Sequence, residues 1–186
     1  LGRSILRDIA SEASRFHGKT KEIAQYVSPR EESPVVFSLV TALEEVMSLI
    51  HPEMTSHKVE ASFSFNSDIQ CCASRIELQH AVLHVLMNAV EACSLQDPSE
   101  KRSISVQLSD NEDKALIKVC DSATGMSEAQ IAQAGEEIFT SKPDRIGLGL
   151  LLVRQFLDNI GGGWRFSKKD GTFCVLLSIP QVKVTE

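Results

Sequence analysis

The amino-acid sequence predicts a two-layer α+β sandwich in which a mixed, mostly antiparallel sheet is covered by about three helices. Two long segments, 37–50 and 76–93, carry apolar residues every three or four positions, the period of a helix with one buried face. Shorter segments alternate apolar and polar residues and are separated by polar turns, as antiparallel strands are. With 186 residues, of which 42% are hydrophobic, the chain is long enough to bury one such core.

The first segment, residues 1–28, is predicted to be a helix of a bundle or coiled coil, because its apolar and small residues follow a three-four spacing. Pro29 and Pro34 then lie in a stretch of charge and serine, which predicts a linker over 29–35 and a globular domain over 36–186. The stripe on the first helix consists of Leu6, Ile9, Ala13, Phe16, Thr20, Ile23 and Val27.

Within the globular domain, helix and strand patterns alternate and end in a hairpin. Asp170-Gly171 is a strong signal for the turn of that last hairpin, and three glycines from Gly161 end the helix before it. The predicted ranges are helices 37–50, 76–93 and 150–160 and strands 59–65, 104–108, 115–119, 164–166 and 172–177.

Composition excludes several classes of function. A net charge of −6 and a pI near 5.4 argue against a nucleic-acid-binding surface. No apolar run reaches the roughly 18 residues that span a bilayer and no secretory leader opens the chain, so a fragment without membrane contact in the cytoplasm is expected. The five cysteines, which show no metal-ligand spacing, are expected to be reduced thiols without a redox role. They are Cys71, Cys72, Cys93, Cys120 and Cys174.

The segment 139–150 predicts a phosphate-binding loop. Gly147 and Gly149 would let the backbone approach a ligand closely, and the helix that follows offers unpaired N–H groups to an anion. Lys142 would add a positive charge. A tight turn before an apolar helix is the alternative reading of the glycine pair.

Two other positions carry polar groups that an ordinary core does not need. On the helix over 76–93, His84, Asn88 and Glu91 project from one face, and a solvated asparagine is the plain alternative to a ligand contact. Asp121 directly follows an apolar strand, and its carboxylate can accept a hydrogen bond from an amine such as that of adenine, with Gly125 giving the chain room to turn. A simple turn aspartate is the alternative there.

In this order, the motifs resemble the ATP-binding catalytic domain of sensor histidine kinases, a nucleotide fold of the Bergerat type shared with gyrase, the Hsp90 chaperones and the MutL repair proteins. The resemblance covers about residues 35 to 180. It implies that Asn88 binds Mg²⁺, that Asp121 reads adenine, and that Asn88 and Lys142 take part in catalysis. It implies an ATP site formed by His84, Asn88, Glu91, Asp121, Gly125, Met126, Phe139, Thr140, Ser141, Lys142, Gly147, Leu148, Gly149 and Leu150.

Three positions depart from the family pattern. His84 stands where histidine kinases usually have a second asparagine and where gyrase-like ATPases have a catalytic glutamate. Ala123 replaces the first glycine beside Asp121, where its methyl group would narrow the adenine pocket. Arg145 replaces a glycine of the phosphate loop, where it would either hinder a positive φ or add a phosphate contact.

The resemblance implies a kinase that passes the γ-phosphoryl group of Mg-ATP to a histidine on a helical hairpin and thence to the receiver domain of a response regulator. Residues 1–28 resemble the second helix of such a dimerisation hairpin, which implies a homodimer, yet neither His17 nor His51 lies in a phosphoacceptor motif. Two alternatives stay open: a degenerate docking or regulatory module that has lost kinase activity, and a serine kinase of the same fold. The parent protein's membrane anchoring also stays open.

Overall fold

A computed structural model describes residues 33–65, 67–134, 149–169 and 171–182 of the chain. The predicted helix over 1–28 and the predicted phosphate-loop residues from 139 to 148 lie outside these ranges. The described elements are strands β1 (Val35–Ser38), β2 (Glu60–Phe65), β3 (Gln70–Ala73), β4 (Ser103–Asn111), β5 (Lys114–Asp121), β6 (Gly163–Lys169) and β7 (Thr172–Pro180), with helices α1 (Leu39–Ser56), α2 (Arg75–Ser94), α3 (Glu128–Gln133) and α4 (Gly149–Asn159).

Five of these strands form the main sheet in the order β2-β4-β5-β7-β6. The β2–β4 pair is parallel and the other three pairs are antiparallel. One row of the sheet positions the site described below, because Ile104, Asp121, Phe173 and Lys168 lie side by side across four strands. The mixed, mostly antiparallel sheet with its helical layer confirms the predicted sandwich.

Helices α1, α2 and α4 pack against one face of this sheet. Alternate residues of β4, β5 and β7 face the helices and are fully buried, as in a sheet covered on one side. Serine caps decide where the two long helices begin: Ser38 Oγ accepts a hydrogen bond from Thr41 N at 3.1 Å, and Ser74 Oγ accepts one from Glu77 N at 3.3 Å. Among the described helices, none is long and apolar enough to cross a membrane.

The other face of the sheet carries mainly polar or half-exposed side chains, including Ser105, Lys118 and Ser167. Cys120 and Cys174 lie directly opposite each other on this face and form a disulfide, with their Cα atoms 4.0 Å apart. The expectation that all five cysteines are reduced is therefore wrong for this pair. Sequence spacing could not reveal it, because the register of β5 against β7 brings together residues 54 positions apart.

The sequence patterns also missed three elements, strands β1 and β3 and the six-residue helix α3, and one boundary. β1 and β3 form a separate two-stranded antiparallel sheet, and both strands are only four residues long, too short for a clear period. Helix α1 continues through Pro52 to Ser56, although the predicted helix ended at residue 50, before this proline. Met54, which is 1% exposed, packs into the core beyond the proline, so its burial outweighs the lost backbone hydrogen bond.

Candidate functional site

Asp121 is the last residue of β5 and points to the helix-covered side of the sheet. It is one of two buried polar side chains among the described residues, with 6% of its surface exposed. Desolvation raises the pKa of this carboxyl to about 6, although the N–H of Ala123, which donates to Oδ1 at 2.9 Å, acts in the opposite direction. The structure therefore holds an acceptor that is costly to ionise and is stabilised by any donor brought to it.

Hydrogen bonds from two neighbouring residues hold the backbone just after Asp121. The Ser122 N–H donates to Ser103 O at 3.0 Å, and Ser122 Oγ accepts from Ser103 N at 3.0 Å. The side chain of Gln96 forms two hydrogen bonds with the same residue: its Nε2 donates to Ser122 O at 2.8 Å, and its Oε1 accepts from Ser122 Oγ at 3.1 Å. Sequence reasoning missed Gln96, and its only signal was a polar residue just past a helix end.

Gly125 lies against the ring of Phe173. Its φ is +68°, and a Cβ at this position would stand 2.3 Å from ring atoms of Phe173, so only glycine fits without displacement. Phe173 is itself buried and stacks on Phe166 with ring centroids 6.1 Å apart. Phe173 was not predicted as a site residue, although it follows the Gly-Thr of the last hairpin.

The neighbours of Gly125 show how one departure from the family pattern is accommodated. Ala123 is 3% exposed and its methyl group belongs to the hydrophobic core, so this side chain is packed among apolar groups. Met126 is half-buried and packs against the same core. These contacts hold both ends of the turn that follows Asp121.

The polar face of α2 meets the start of α4. His84, Asn88 and Glu91 are half-buried and lie at i, i+4 and i+7, on one face of the helix. A Cβ on Gly149, the first residue of α4, would stand 3.2 Å from Nδ1 of His84, so the imidazole borders the N-terminal turn of that helix. Among the described residues, the Asn88 side chain makes no hydrogen bond.

The C-terminal end of α2 contacts the residue that follows Asp121. The Sγ of Cys93 is 3.7 Å from Ser122 Oγ, and Asn88 precedes Cys93 by five residues, which is about 7.5 Å along a helix axis. The described residues contain no group of three or more His, Cys, Asp or Glu side chains that could hold a metal ion.

The structure brings together part of the predicted site. Asp121, Gly125 and Met126 lie at the end of β5, and His84, Asn88 and Glu91 lie on the α2 face beside Gly149 and Leu150, which open α4 as predicted. The remaining predicted residues lie outside the described ranges and stay predictions: Phe139, Thr140, Ser141, Lys142, Gly147 and Leu148, together with the unusual Arg145.

The sequence of this chain is similar to a known protein family and to individual sensor proteins. A family model described as histidine kinase-, DNA gyrase B-, and HSP90-like ATPase matches residues 73–183. The sensor histidine kinase ZraS of Salmonella typhimurium is 25% identical over 165 residues, which are 88% of this chain and 34% of that protein. The sensor protein DegM of a Bacillus species is 25% identical over 158 residues, 84% of this chain and 41% of that protein.

Solved structures share the fold. The nucleotide-free catalytic domain of the histidine kinase ThkA aligns with a TM-score of 0.71 and 21% identity over 81% of this chain and 97% of that one. ThkA in complex with the response regulator protein TrrA aligns with a TM-score of 0.74 and 22% identity, covering 94% of this chain and 49% of that one. The present chain spans between a third and about two fifths of the length of ZraS and DegM.

Proposed function

Because the chain belongs to the family of histidine kinase-, DNA gyrase B- and HSP90-like ATPases and is homologous to sensor histidine kinases, we propose that it binds Mg-ATP between the end of β5 and the start of α4. In a longer protein it then donates the γ-phosphoryl group to a histidine on a helical hairpin. The observation that carries this proposal is the buried carboxyl of Asp121 at the end of β5, which accepts a hydrogen bond from the Ala123 N–H and has capacity to accept another from a ligand.

In this proposal, Asp121 recognises the adenine base. Its carboxylate accepts a hydrogen bond from the exocyclic amine, which offsets the cost of keeping the charge buried. The hydrogen bonds between Gln96 and Ser122 hold the backbone next to Asp121, which keeps its carboxylate aligned with the base. Gly125 leaves room for the backbone to turn above Phe173. Guanine carries a carbonyl where adenine carries the amine, so it would place an acceptor against an acceptor.

The triphosphate lies toward α4, whose N-terminal N–H groups and dipole favour negative charge. His84 and Gly149 border this region, and Lys142, Thr140 and Ser141 would reach the phosphates from the segment before α4. Mg²⁺ is held in many kinases by one or two protein oxygens together with substrate phosphates, so the amide oxygen of Asn88 is a suitable ligand. The metal would neutralise charge on the transferring phosphoryl group.

The partners are proposed from the relatives. ThkA has been solved in complex with a response regulator, and the present chain is proposed to serve a receiver domain of the same kind. Residues 1–28 would belong to the hairpin that dimerises and carries the phosphoacceptor histidine, and this catalytic part would lie in the cytoplasm.

Nucleotide binding tests the proposal directly. Titration calorimetry with Mg-ADP and Mg-GDP should show binding of the adenine nucleotide alone, and Asp121→Asn should weaken it about ten- to hundredfold, because a charge-assisted hydrogen bond is lost. Asp110→Asn is the matched control, since Asp110 lies exposed at the opposite end of the β4–β5 hairpin and should leave the affinity unchanged. Absence of nucleotide binding, with retained binding to a receiver domain, would identify a docking module instead.

A further inference from the structure

Cys120 and Cys174 form a pair that the proposed nucleotide chemistry does not use. They are Cα partners on β5 and β7, and the next row toward the site pairs Asp121 with Phe173. The disulfide therefore ties the two strands together one residue before the carboxylate and one residue after the aromatic ring that supports Gly125.

The environment of this pair differs from that of the other cysteines in its neighbours and not in its burial, because Cys120 and Cys174 are only 8% and 9% exposed. Ser105 and Ser167 flank it in the same row, and both are half-buried or exposed on the sheet face that the described helices do not cover. Cys71 and Cys93 are buried, and desolvation raises the pKa of both thiols, that of Cys71 to about 12, which suppresses thiolate formation. Cys72 is exposed but is not disulfide-bonded.

We propose that Cys120 and Cys174 are a redox-modification site that reacts with low-molecular-weight disulfides, such as glutathione disulfide, and sets the affinity of the adjacent nucleotide site. The second half of this statement rests on the function proposed above. The first half uses the cytoplasmic location proposed above, because disulfides in reducing compartments are usually transient and regulatory, which fits a pair beside a binding site better than a structural clamp.

The chemistry is a pair of thiol–disulfide exchanges. The thiolate of one cysteine attacks one sulfur of glutathione disulfide, forming a mixed disulfide and releasing one glutathione thiolate. The thiolate of the second cysteine attacks the protein sulfur of the mixed disulfide, forming the Cys120–Cys174 bond and releasing the second glutathione. The protein loses two electrons, glutathione disulfide gains them, and the two thiol protons go to the two glutathione molecules.

The coupling follows from the position of the covalent link. The disulfide joins β5 to β7 at the row beside Asp121 and Phe173. Reduction removes this link and leaves the two strands held there by hydrogen bonds and packing alone. The close fit between Gly125 and Phe173 would loosen, so the dithiol form should bind nucleotide more weakly than the disulfide form.

The experiment compares the oxidised and reduced chain. After equilibration with glutathione disulfide or with excess reduced glutathione, peptide mass spectrometry detects the Cys120–Cys174 cross-link, and calorimetry gives the Kd for Mg-ADP. We expect the cross-link only in the oxidised sample and a Kd at least about fivefold higher after reduction. Cys72→Ser should behave like the wild type. Cys174→Ser and Cys120→Val should each bind Mg-ADP with an affinity that does not respond to glutathione.

The outcomes separate the two parts of the inference. No cross-link at any glutathione ratio overturns the redox site. A cross-link with a Kd that changes less than twofold overturns the coupling. If Mg-ADP binds in neither state, the proposed function and the coupling both fail, while the cross-link still decides whether the redox site exists.

Discussion

The two ends of the β4–β5 hairpin carry similar residues in opposite environments. At the turn end, Asp110 is exposed and Glu112 adopts a φ of 54°, a conformation that is uncommon outside glycine. At the other end, Asp121 is buried and Gly125 takes a φ of 68° against Phe173. A glutamine steadies each end: Gln181 Nε2 donates to Asp110 Oδ1 and Glu112 O, and Gln96 holds Ser122.

The difference distinguishes the end of the hairpin that we propose binds nucleotide. An exposed carboxylate remains hydrated, so an aspartate at a turn costs little. A buried carboxylate destabilises the fold when ionised, and in the proposed function the ligand supplies a donor that offsets this cost. The buried carboxylate of Asp121 therefore lowers the free energy of unfolding, whereas the exposed carboxylate of Asp110 has little effect on it.

The largest expected effect comes from a methyl group at the site end. Gly125→Ala forces a β-carbon against Phe173 at a positive φ, and we expect a loss of about 2–5 kcal/mol in the free energy of unfolding. Urea denaturation measures it. Gly171→Ala is the control, because Gly171 also has a positive φ of 76° but no atom within 4 Å of the position that a β-carbon would take, so only the backbone cost of about 1–2 kcal/mol should remain. Equal losses would refute the contact.

The second effect is a pH dependence at the site end of the hairpin. The folded-state pKa of Asp121, about 6, is above its ordinary value of 3.8, so its contribution to stability is fully present below pH 3.8 and is lost as the pH rises through about 6. Relative to wild type, Asp121→Asn should gain up to about 3 kcal/mol between pH 4 and pH 7. Thermal or urea unfolding across this range measures the gain.

The affinity for Mg-ADP should depend on the same ionisation of Asp121. Adenine recognition uses the ionised carboxylate, so the affinity for Mg-ADP should rise as the pH increases from 5 to 7 and level off above about 7. Calorimetry at each pH gives the profile. A flat profile would mean that Asp121 does not contact the base.

A smaller effect tests the two glutamines. Gln96→Ala removes both hydrogen bonds to Ser122 and should cost about 1–3 kcal/mol, with a parallel loss of nucleotide affinity because Asp121 is less well positioned. Gln181→Ala acts at the exposed end and should cost no more than about 0.5 kcal/mol, without effect on nucleotide. Stability and Kd measured together separate positioning from general destabilisation.

The smallest effect is expected at the turn. Glu112→Gly relieves a left-handed backbone at an exposed position, so stability should change by less than about 1 kcal/mol despite the greater freedom of glycine when unfolded. Thermal denaturation checks this. A large loss would show that the turn end is as constrained as the site end.

Much of this molecule could be predicted from local patterns. The period of three to four residues identified α1 and α2, with bounds wrong by one or two residues except at the end of α1, which continues past Pro52. The order of Asn88, Asp121 and Gly149 indicated the family, and the family match confirms it. The strands β1 and β3, each four residues long, were missed because they show no clear period.

Other features could not be predicted from the sequence. Gln96 and Ser122 are 26 residues apart, and nothing in the local sequence of either residue indicates the other. Phe173 is one of several aromatic residues in the last hairpin, and only the packing of Gly125 against its ring distinguishes it. The cysteine pair was misjudged for the same reason, since register and not spacing brings the two together.

The sequence by itself determined the fold class, the helical faces and the residue types at the site, because these depend on the periodicity of neighbouring residues. Only the tertiary structure decided that Asp121 is buried with a raised pKa, that Gly125 rests on Phe173, and that Cys120 meets Cys174. Each of these depends on strand register and on the depth of burial. Both are set when distant segments pack together, and no local pattern encodes them.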